Sequence, residues 1–326
     1  PHMGWNRVRF SGAPHLPIDG RYYFVHSYAY DDPTNEVVTG TVDHDGELVA
    51  AVGQGNVLGL QFHPEKSHVP GFLLSRRVIP SLLMDRGRLV KTTGFTKPVY
   101  VGDPINTIRV FNDKGCDELL LLDIGAGERG EGPDIETVRS VASECFMPLA
   151  YGGGITSLEH AEALFACGVE KLVIRTSARQ QLSLVSDLAD RFGSQAVVVS
   201  IDVDRDRAGR LAEYPRSSTI AGEADPMDRI RSVVDAGAGE VMVQSVPADG
   251  MLSGPDRQVV ELLSGATVPT IYGGGVASIA DMGTVFEAGV DAVAVGAHFV
   301  FYGPHRAVLI TYPTAHELAQ IGVRDA

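Results

Sequence analysis

Long apolar runs are missing from this 326-residue chain. No stretch reaches the roughly 18 apolar residues that a bilayer-spanning helix needs, and the N-terminus lacks the charged-then-apolar pattern of a secretion signal. Basic residues are in deficit. With 27 Lys and Arg against 41 Asp and Glu, the formal net charge is −14. That balance argues against a nucleic-acid or anionic-membrane surface, while leaving room for a local positive pocket. Cysteine is scarce as well: Cys116, Cys145 and Cys167 are odd in number and lie in apolar helix-or-strand contexts. They read as buried free thiols in a reducing compartment rather than disulfides. No metal or cofactor is expected. These absences predict a cytoplasmic enzyme, and 44% apolar with 21% charged content suffices for one or two sizeable cores.

What is present is a repeat. Leu149-Ala150-Tyr151-Gly152-Gly153-Gly154-Ile155 returns 121 residues later as Thr270-Ile271-Tyr272-Gly273-Gly274-Gly275-Val276. Upstream, Lys114-Gly115-Cys116-Asp117-Glu118 matches Ala236-Gly237-Ala238-Gly239-Glu240 at an offset of 122. Further upstream, Ser81-Leu82-Leu83-Met84-Asp85-Arg86 matches Ser200-Ile201-Asp202-Val203-Asp204-Arg205 at an offset of 119. Three pairs in one order at one period indicate a duplicated half. A half of four parallel strands would expose its edges, whereas two halves close a ring.

From about Arg76 onward, short apolar runs alternate with glycine-rich turns and amphipathic helices. The predicted strands are Val78–Leu83, Glu118–Ile124, Pro148–Tyr151, Lys171–Arg175, Ala196–Ile201, Glu240–Ser245, Pro269–Tyr272 and Ala292–Val295. Continuous apolar runs mark strands covered on both faces, and eight strand-helix units over about 250 residues make an α/β fold, a closed (β/α)8 barrel. The alternative, a doubly wound open sheet, has no reason to repeat at half its length. Chemistry in such a barrel belongs to the loops after the strands. Both glycine triplets fall there, and glycine admits the backbone close to an anion. The predicted phosphate cradles are Gly152, Gly153 and Gly154 with Arg175 and Thr176, and Gly250, Gly274 and Gly275 with Gly296 and Ala297. Two cradles imply a ligand with a phosphate at each end.

Residues 1–75 have another character, strand-rich with aromatic clusters and a polar pair at the end. They are too short and apolar to be a comfortable domain alone, so a longer domain is expected.

These residues resemble imidazole glycerol phosphate synthase. Pro1-His2-Met3-Gly4-Trp5-Asn6, Tyr23-Phe24-Val25-His26-Ser27-Tyr28 and Gln61-Phe62-His63-Pro64-Glu65-Lys66-Ser67 resemble the C-terminal part of HisH, a class I glutamine amidotransferase. Residues 76–326 resemble HisF, the cyclase, as a (β/α)8 TIM barrel of two half-barrel repeats. The resemblance implies that His63 is the general base and Glu65 its orienting carboxylate in a Cys-His-Glu triad. No Gly-x-Cys-x-Gly elbow precedes them, so hydrolysis of glutamine would require the remainder of a glutaminase domain or a separate glutaminase subunit. It also implies an ammonia gate of Arg77, Glu118, Lys171 and Glu240, whose alternative is a set of exposed ion pairs. Lys91 matches a substrate-loop lysine; the alternative is a solvated cation.

The cyclase family places an acid–base aspartate on the first strand and another on the fifth. Asp202 fits the fifth. At the first this chain has Leu83, and the repeat pairs Leu83 with Asp202 independently. Asp85, two residues on, is the tentative substitute. Gly125, Arg175 and Gln244 also depart from the histidine-pathway pattern. Together with the segments 94–106 and 301–310, this resembles a HisF paralogue that accompanies surface-polysaccharide genes. It implies a barrel that takes ammonia and a phosphorylated small molecule and serves a separate sugar amidotransferase making acetamidino sugars. A working histidine-pathway cyclase and an inert scaffold are the other readings, and duplicated phosphate sites argue against the scaffold.

Overall fold

The computed structural model describes residues 2–11, 20–26, 28, 32–33, 35–44, 46–54, 57–62, 76–214 and 225–323. The chain separates into two compact units, residues 1–75 and the chain from Arg76 onward.

In the first unit β1 (His2–Phe10), β2 (Gly20–His26), β3 (Val38–Asp43), β4 (Glu47–Gln54) and β5 (Val57–Leu60) form one antiparallel sheet in the order β2-β1-β3-β4-β5. Alternate residues face opposite sides of a strand, so Val8, Tyr22, Phe24, Val42 and Ala50 reach one face and gather around Phe62. The Phe62 ring lies 4.2 Å from Tyr22 and 5.9 Å from Phe24, centroid to centroid. His63 and Glu65 lie outside the described residues.

In the second unit β6 (Arg77–Asp85) turns back into β7 (Arg88–Thr93) and β8 (Thr96–Gly102). There follow β9 (Leu119–Asp123), β10 (Leu149–Gly152), β11 (Lys171–Ile174), β12 (Val197–Arg205), β13 (Leu211–Glu213), β14 (Glu240–Ser245), β15 (Thr270–Gly273) and β16 (Ala292–Val295). Eight of these run parallel in the order β6-β9-β10-β11-β12-β14-β15-β16, and β16 pairs back onto β6 through Ala292↔Arg77 to Val295↔Pro80. The sheet is a closed barrel. Period-two alternation splits its apolar residues into two cores. Ile79, Leu120, Ala150, Val173, Val198, Met242, Ile271, Ala292 and Ala294 fill the lumen. The intervening residues, such as Val78, Leu121, Leu172 and Val243, pack outward with the helices.

The duplication extends to detail. β6 and β12 are both nine residues long, and each is prolonged by an antiparallel partner, β7 or β13. That pairing carries them past the predicted ends at Leu83 and Ile201, because hydrogen bonds to the returning chain continue the ladder. After each glycine triplet comes a nine-residue helix, Leu158–Ala166 or Ile279–Glu287, capped by a serine hydroxyl accepting the N–H of the third helical residue. No described helix is long and apolar enough to cross a membrane.

Candidate functional site

Lumen-facing residues set both ends of the barrel. At the N-terminal end Arg77, Glu118, Lys171 and Glu240 each precede by two residues a member of the lumen core (Ile79, Leu120, Val173, Met242), so the four share one inward layer. They close a ring. Arg77 Nη1 donates to Glu118 Oε2 at 2.6 Å and Nη2 donates to Glu240; Lys171 Nζ lies 3.0 Å from Glu118 Oε1 and 3.2 Å from Glu240 Oε2. The exposed-pair alternative is excluded by burial, since Glu118 is 4% and Glu240 1% exposed. Burial alone would raise the Glu118 pKa, but Lys171 and Arg77 outweigh it and hold the carboxyl down at about 2. Burial likewise works against the Arg77 charge, and Glu240 with Glu118 overcomes it, raising the guanidinium pKa. Both shifts favour the charged forms of Glu118 and Arg77.

At the opposite end the triplets follow β10 and β15, four strands apart in a ring of eight and therefore across the mouth from each other. Gly153 (φ 135°) and Gly274 (φ 113°) hold backbone shapes that a side chain resists, and a Cβ would stand 2.6 Å from the Asp123 carbonyl or 2.8 Å from that of Ser245. Gly154 and Gly275 are equally crowded, against the carbonyls of Glu131 and Gly254. The next strands end alike. Arg175 (φ −126°, ψ −76°) and Gly296 (φ −104°, ψ −80°) each lead into a short helix, Thr176–Gln180 or Ala297–Val300, with no side-chain cap on its first N–H groups.

The strand end after each triplet has one cation beside it, delivered differently. Beside Gly296, a Cβ would lie 3.1 Å from Lys91 Nζ. Lys91 is on β7 rather than in a flexible loop, is 6% exposed, and donates to Asp249 Oδ1 at 2.9 Å. Asp249 also accepts from Thr92 Oγ1 at 2.6 Å and from the N–H of Phe95 at 3.4 Å. Gly250 admits the Thr92 carbonyl where a Cβ would clash. Lys91, Gln244, Asp249, Gly250, Gly274 and Gly296 line one pocket.

At the end of β11 the cation is Arg175 itself, whose Nη1 donates to Asp202. Asp202 is 3% exposed, and burial raises its pKa against the pull of Arg175. Leu83 is buried on the inward register of β6, two residues beyond Ser81 and four beyond Ile79. Asp85 ends β6 and is held by Arg129 Nη1 at 2.7 Å. Arg129 Nη2 lies 3.6 Å from Asp123, a carboxyl whose pKa burial raises despite N–H donors from Ala126 and Gly125. A Cβ at Gly125 would overlap the Arg129 guanidinium, so the glycine makes room for that pair.

Asp249, Arg129 and Asp123 were not among the candidates read from sequence. Asp249 adjoins the named Gly250, and an acid beside a glycine in a post-strand loop was the available signal. The three departures Gly125, Arg175 and Gln244 all lie at this mouth. The cysteines take no part in it: burial pushes the Cys116 pKa up to about 12, and its thiol donates to the Glu118 carbonyl at 2.9 Å.

Comparison with known proteins agrees with this geometry. Residues 77–305 match the family model described as histidine biosynthesis protein, and residues 2–78 match class-I glutamine amidotransferase. A Pseudomonas aeruginosa protein provisionally named imidazole glycerol phosphate synthase subunit hisF2 is 49% identical over 249 residues, covering 76% of this chain and 99% of that protein. A Leptospira interrogans protein, also provisionally named as subunit HisF, is 38% identical over 248 residues, 75% of this chain and 98% of its own length. The Helicobacter hepaticus imidazole glycerol phosphate synthase subunit HisF is 36% identical over 239 residues, 73% and 95% respectively. The chain belongs to the histidine biosynthesis protein family, as a HisF-like barrel preceded by a segment of the class-I glutamine amidotransferase type.

Proposed function

We propose that this barrel handles ammonia for a reaction completed elsewhere, as the paralogue serving acetamidino-sugar synthesis, rather than closing the imidazole ring itself. The observation that carries this reading is the pairing of Leu83 with Asp202. A leucine neither accepts nor donates a proton, and the remaining carboxyl at the equivalent position is tied to Arg175. Asp85, the tentative substitute, is engaged by Arg129. Proton transfer needs a free group within reach, and neither aspartate is free at rest.

The ammonia-handling parts are nevertheless retained. Arg77, Glu118, Lys171 and Glu240 act as the gate, with Lys171 as the member that yields: its contacts, at 3.0 and 3.2 Å, are longer than that of Arg77 to Glu118, and a point charge on a flexible stem moves more readily than a guanidinium fork. Beyond the gate the lumen is lined by apolar side chains, which admit neutral ammonia and disfavour ammonium. Ammonia arrives from a glutaminase completed by a further segment or subunit, with His63 and Glu65 as base and orienting carboxylate. The two cradles hold a phosphorylated small molecule at the mouth, through Gly152–Gly154 with Thr176 on one side and Gly274, Gly275, Gly296 and Ala297 with Lys91 on the other. The sugar amidotransferase then receives the nitrogen.

The rival reading, the histidine-pathway cyclase, draws on the names of the relatives and on the buried Asp202, whose pKa burial raises. Ammonium and the histidine-pathway ribonucleotide, with product absorbance as the readout, separate the two. The expected result is no turnover. Turnover at an enzyme-like rate, abolished by Asp202→Asn, would refute the proposal in favour of the cyclase.

A further inference from the structure

The two cradles can be compared position by position, because Arg175 and Gly296 end equivalent strands in nearly the same backbone conformation. The neighbouring strand supplies Asp202 in one half and Leu83 in the other. One half therefore has an Arg–Asp pair where the other has Gly and Leu. Glycine at 296 leaves space that Lys91 enters from β7, whereas the Arg175 side chain grows from the strand end itself. The exposures within the Arg–Asp pair are unequal. The Asp202 side chain is 3% exposed and that of Arg175 is 42%, so the guanidinium spans a buried carboxylate and the open mouth. A guanidinium has five N–H groups. Here Nη1 serves Asp202 and Nη2 lies 3.4 Å from the Thr176 hydroxyl, which leaves donors for two oxygens of an oxyanion entering the cradle beside Gly152–Gly154.

We infer that Arg175 is the specificity-determining residue of the first cradle, recruiting a phosphate-like oxyanion at the expense of its ion pair with Asp202, so that anion binding there and the protonation of Asp202 are coupled. This rests on reading Gly152–Gly154 as a phosphate cradle. Besides burial, the charged groups that act most on Asp202 are Arg175 after β11, Glu213 on β13 and Asp249 after β14; Glu213 is paired with Arg179 and Arg229 and Asp249 with Lys91, while Arg175 is paired with Asp202 itself. When the Arg175 guanidinium turns to the bound oxyanion, burial acts on Asp202 with less opposition, and the carboxylate takes a proton from solvent. The proton goes to Asp202; the anion keeps its charge and holds the Arg175 fork.

The test uses the full chain and inorganic sulfate, an oxyanion that does not itself titrate near pH 6. Calorimetric titration in buffers of different ionisation enthalpy counts protons taken up per sulfate bound. Wild type is expected to take up a proton fraction. Asp202→Asn should abolish that uptake and tighten sulfate severalfold, because the competitor for Arg175 is gone. Arg175→Asn should abolish uptake and weaken first-cradle binding roughly tenfold or more, as loss of a charge-assisted contact does. Arg175→Lys keeps the charge without the fork and should fall between, which guards against reading misfolding as lost recognition. Sulfate binding without proton uptake, or uptake that persists in Asp202→Asn, overturns the coupling while leaving the cradle reading intact. No sulfate binding by folded wild type overturns the cradle and the coupling together.

Discussion

Replacing Glu118 by glutamine tests whether the ring at the base of the barrel is one electrostatic unit. Glu118 accepts from Arg77 and Lys171 and is almost wholly buried. Its carboxyl is lowered from the ordinary 4.5 to about 2. At about 1.36 kcal/mol per pH unit, that depression corresponds to about 3 kcal/mol of stability at pH 7. The figure agrees with the roughly 3–5 kcal/mol lost when one partner of a buried ion pair is removed. The sign is set by the direction of the shift. A depressed carboxyl contributes fully above its unfolded pKa near 4.5 and loses that contribution as pH falls toward 2. The penalty in Glu118→Gln should therefore be largest at pH 7 and fall to less than half of that by pH 3, where the unfolded side chain is already protonated but Glu118 in the fold still holds much of its charge. Urea unfolding of both proteins at the two pH values measures it, and at pH 7 the difference should lower the melting temperature by roughly 6–12 °C. A penalty of equal size at both pH values would mean that packing, not charge, is what the glutamine disturbs, and the account of the ring would fail.

Two further outcomes follow from the mouth. Gly275→Ala meets both a positive φ of 77° and the Gly254 carbonyl, whereas Gly289, at φ 91°, has open space around it. The alanine at 289 should cost only its backbone strain, about 1–3 kcal/mol, and the alanine at 275 clearly more, with loss of anion binding at the second cradle; thermal melts and sulfate titration compare them. Asp249→Asn leaves the buried Lys91 without its counter-charge and should destabilise by about 3–5 kcal/mol, while Lys91→Met in the same background should restore most of it, since an apolar replacement of a buried pair is often neutral. A double-mutant cycle by denaturant unfolding reads the coupling, and additive costs would contradict the pairing.

The barrel was legible in the chain because a strand buried on both faces must be apolar at every position, and eight such runs separated by glycine turns admit few arrangements. The charged layer at the base, Arg77, Glu118, Lys171 and Glu240, was named through the family resemblance, with exposed ion pairs as its alternative, and the structure places the four side chains in one buried layer. The mouth was read less completely. Lys91 meets Asp249 across 158 residues and Asp85 meets Arg129 across 44, and local pattern carries no information about such encounters. Gly125 was visible as a departure, but its meaning, space for Arg129, exists only once β6 and β9 lie side by side.

The repeat also explains why the departures come as sets. Glu118 and Glu240 are equivalent by the duplication, but the positions equivalent to Arg77 and Lys171 are Ala196 and Ala292. Had the cations repeated as the carboxylates do, the buried layer would hold four positive charges against two negative, an imbalance that a low-dielectric interior resists strongly. The layer is neutral because the repeat is broken there. The same rule acts at the mouth, where Asp202 is matched by Arg175, while the equivalent Leu83 faces a strand ending in Gly296 and neither carries charge. A buried aspartate at 83 without a cation at 296 would be uncompensated, and Gly296 already cedes its space to Lys91, which Asp249 neutralises. Leu83 on the first strand and Gly296 at the end of the eighth are therefore consistent with each other in charge. An acid introduced alone by Leu83→Asp would be buried against Leu122 and Val90, its register partners on β9 and β7, with no cation at the end of β16 to balance it.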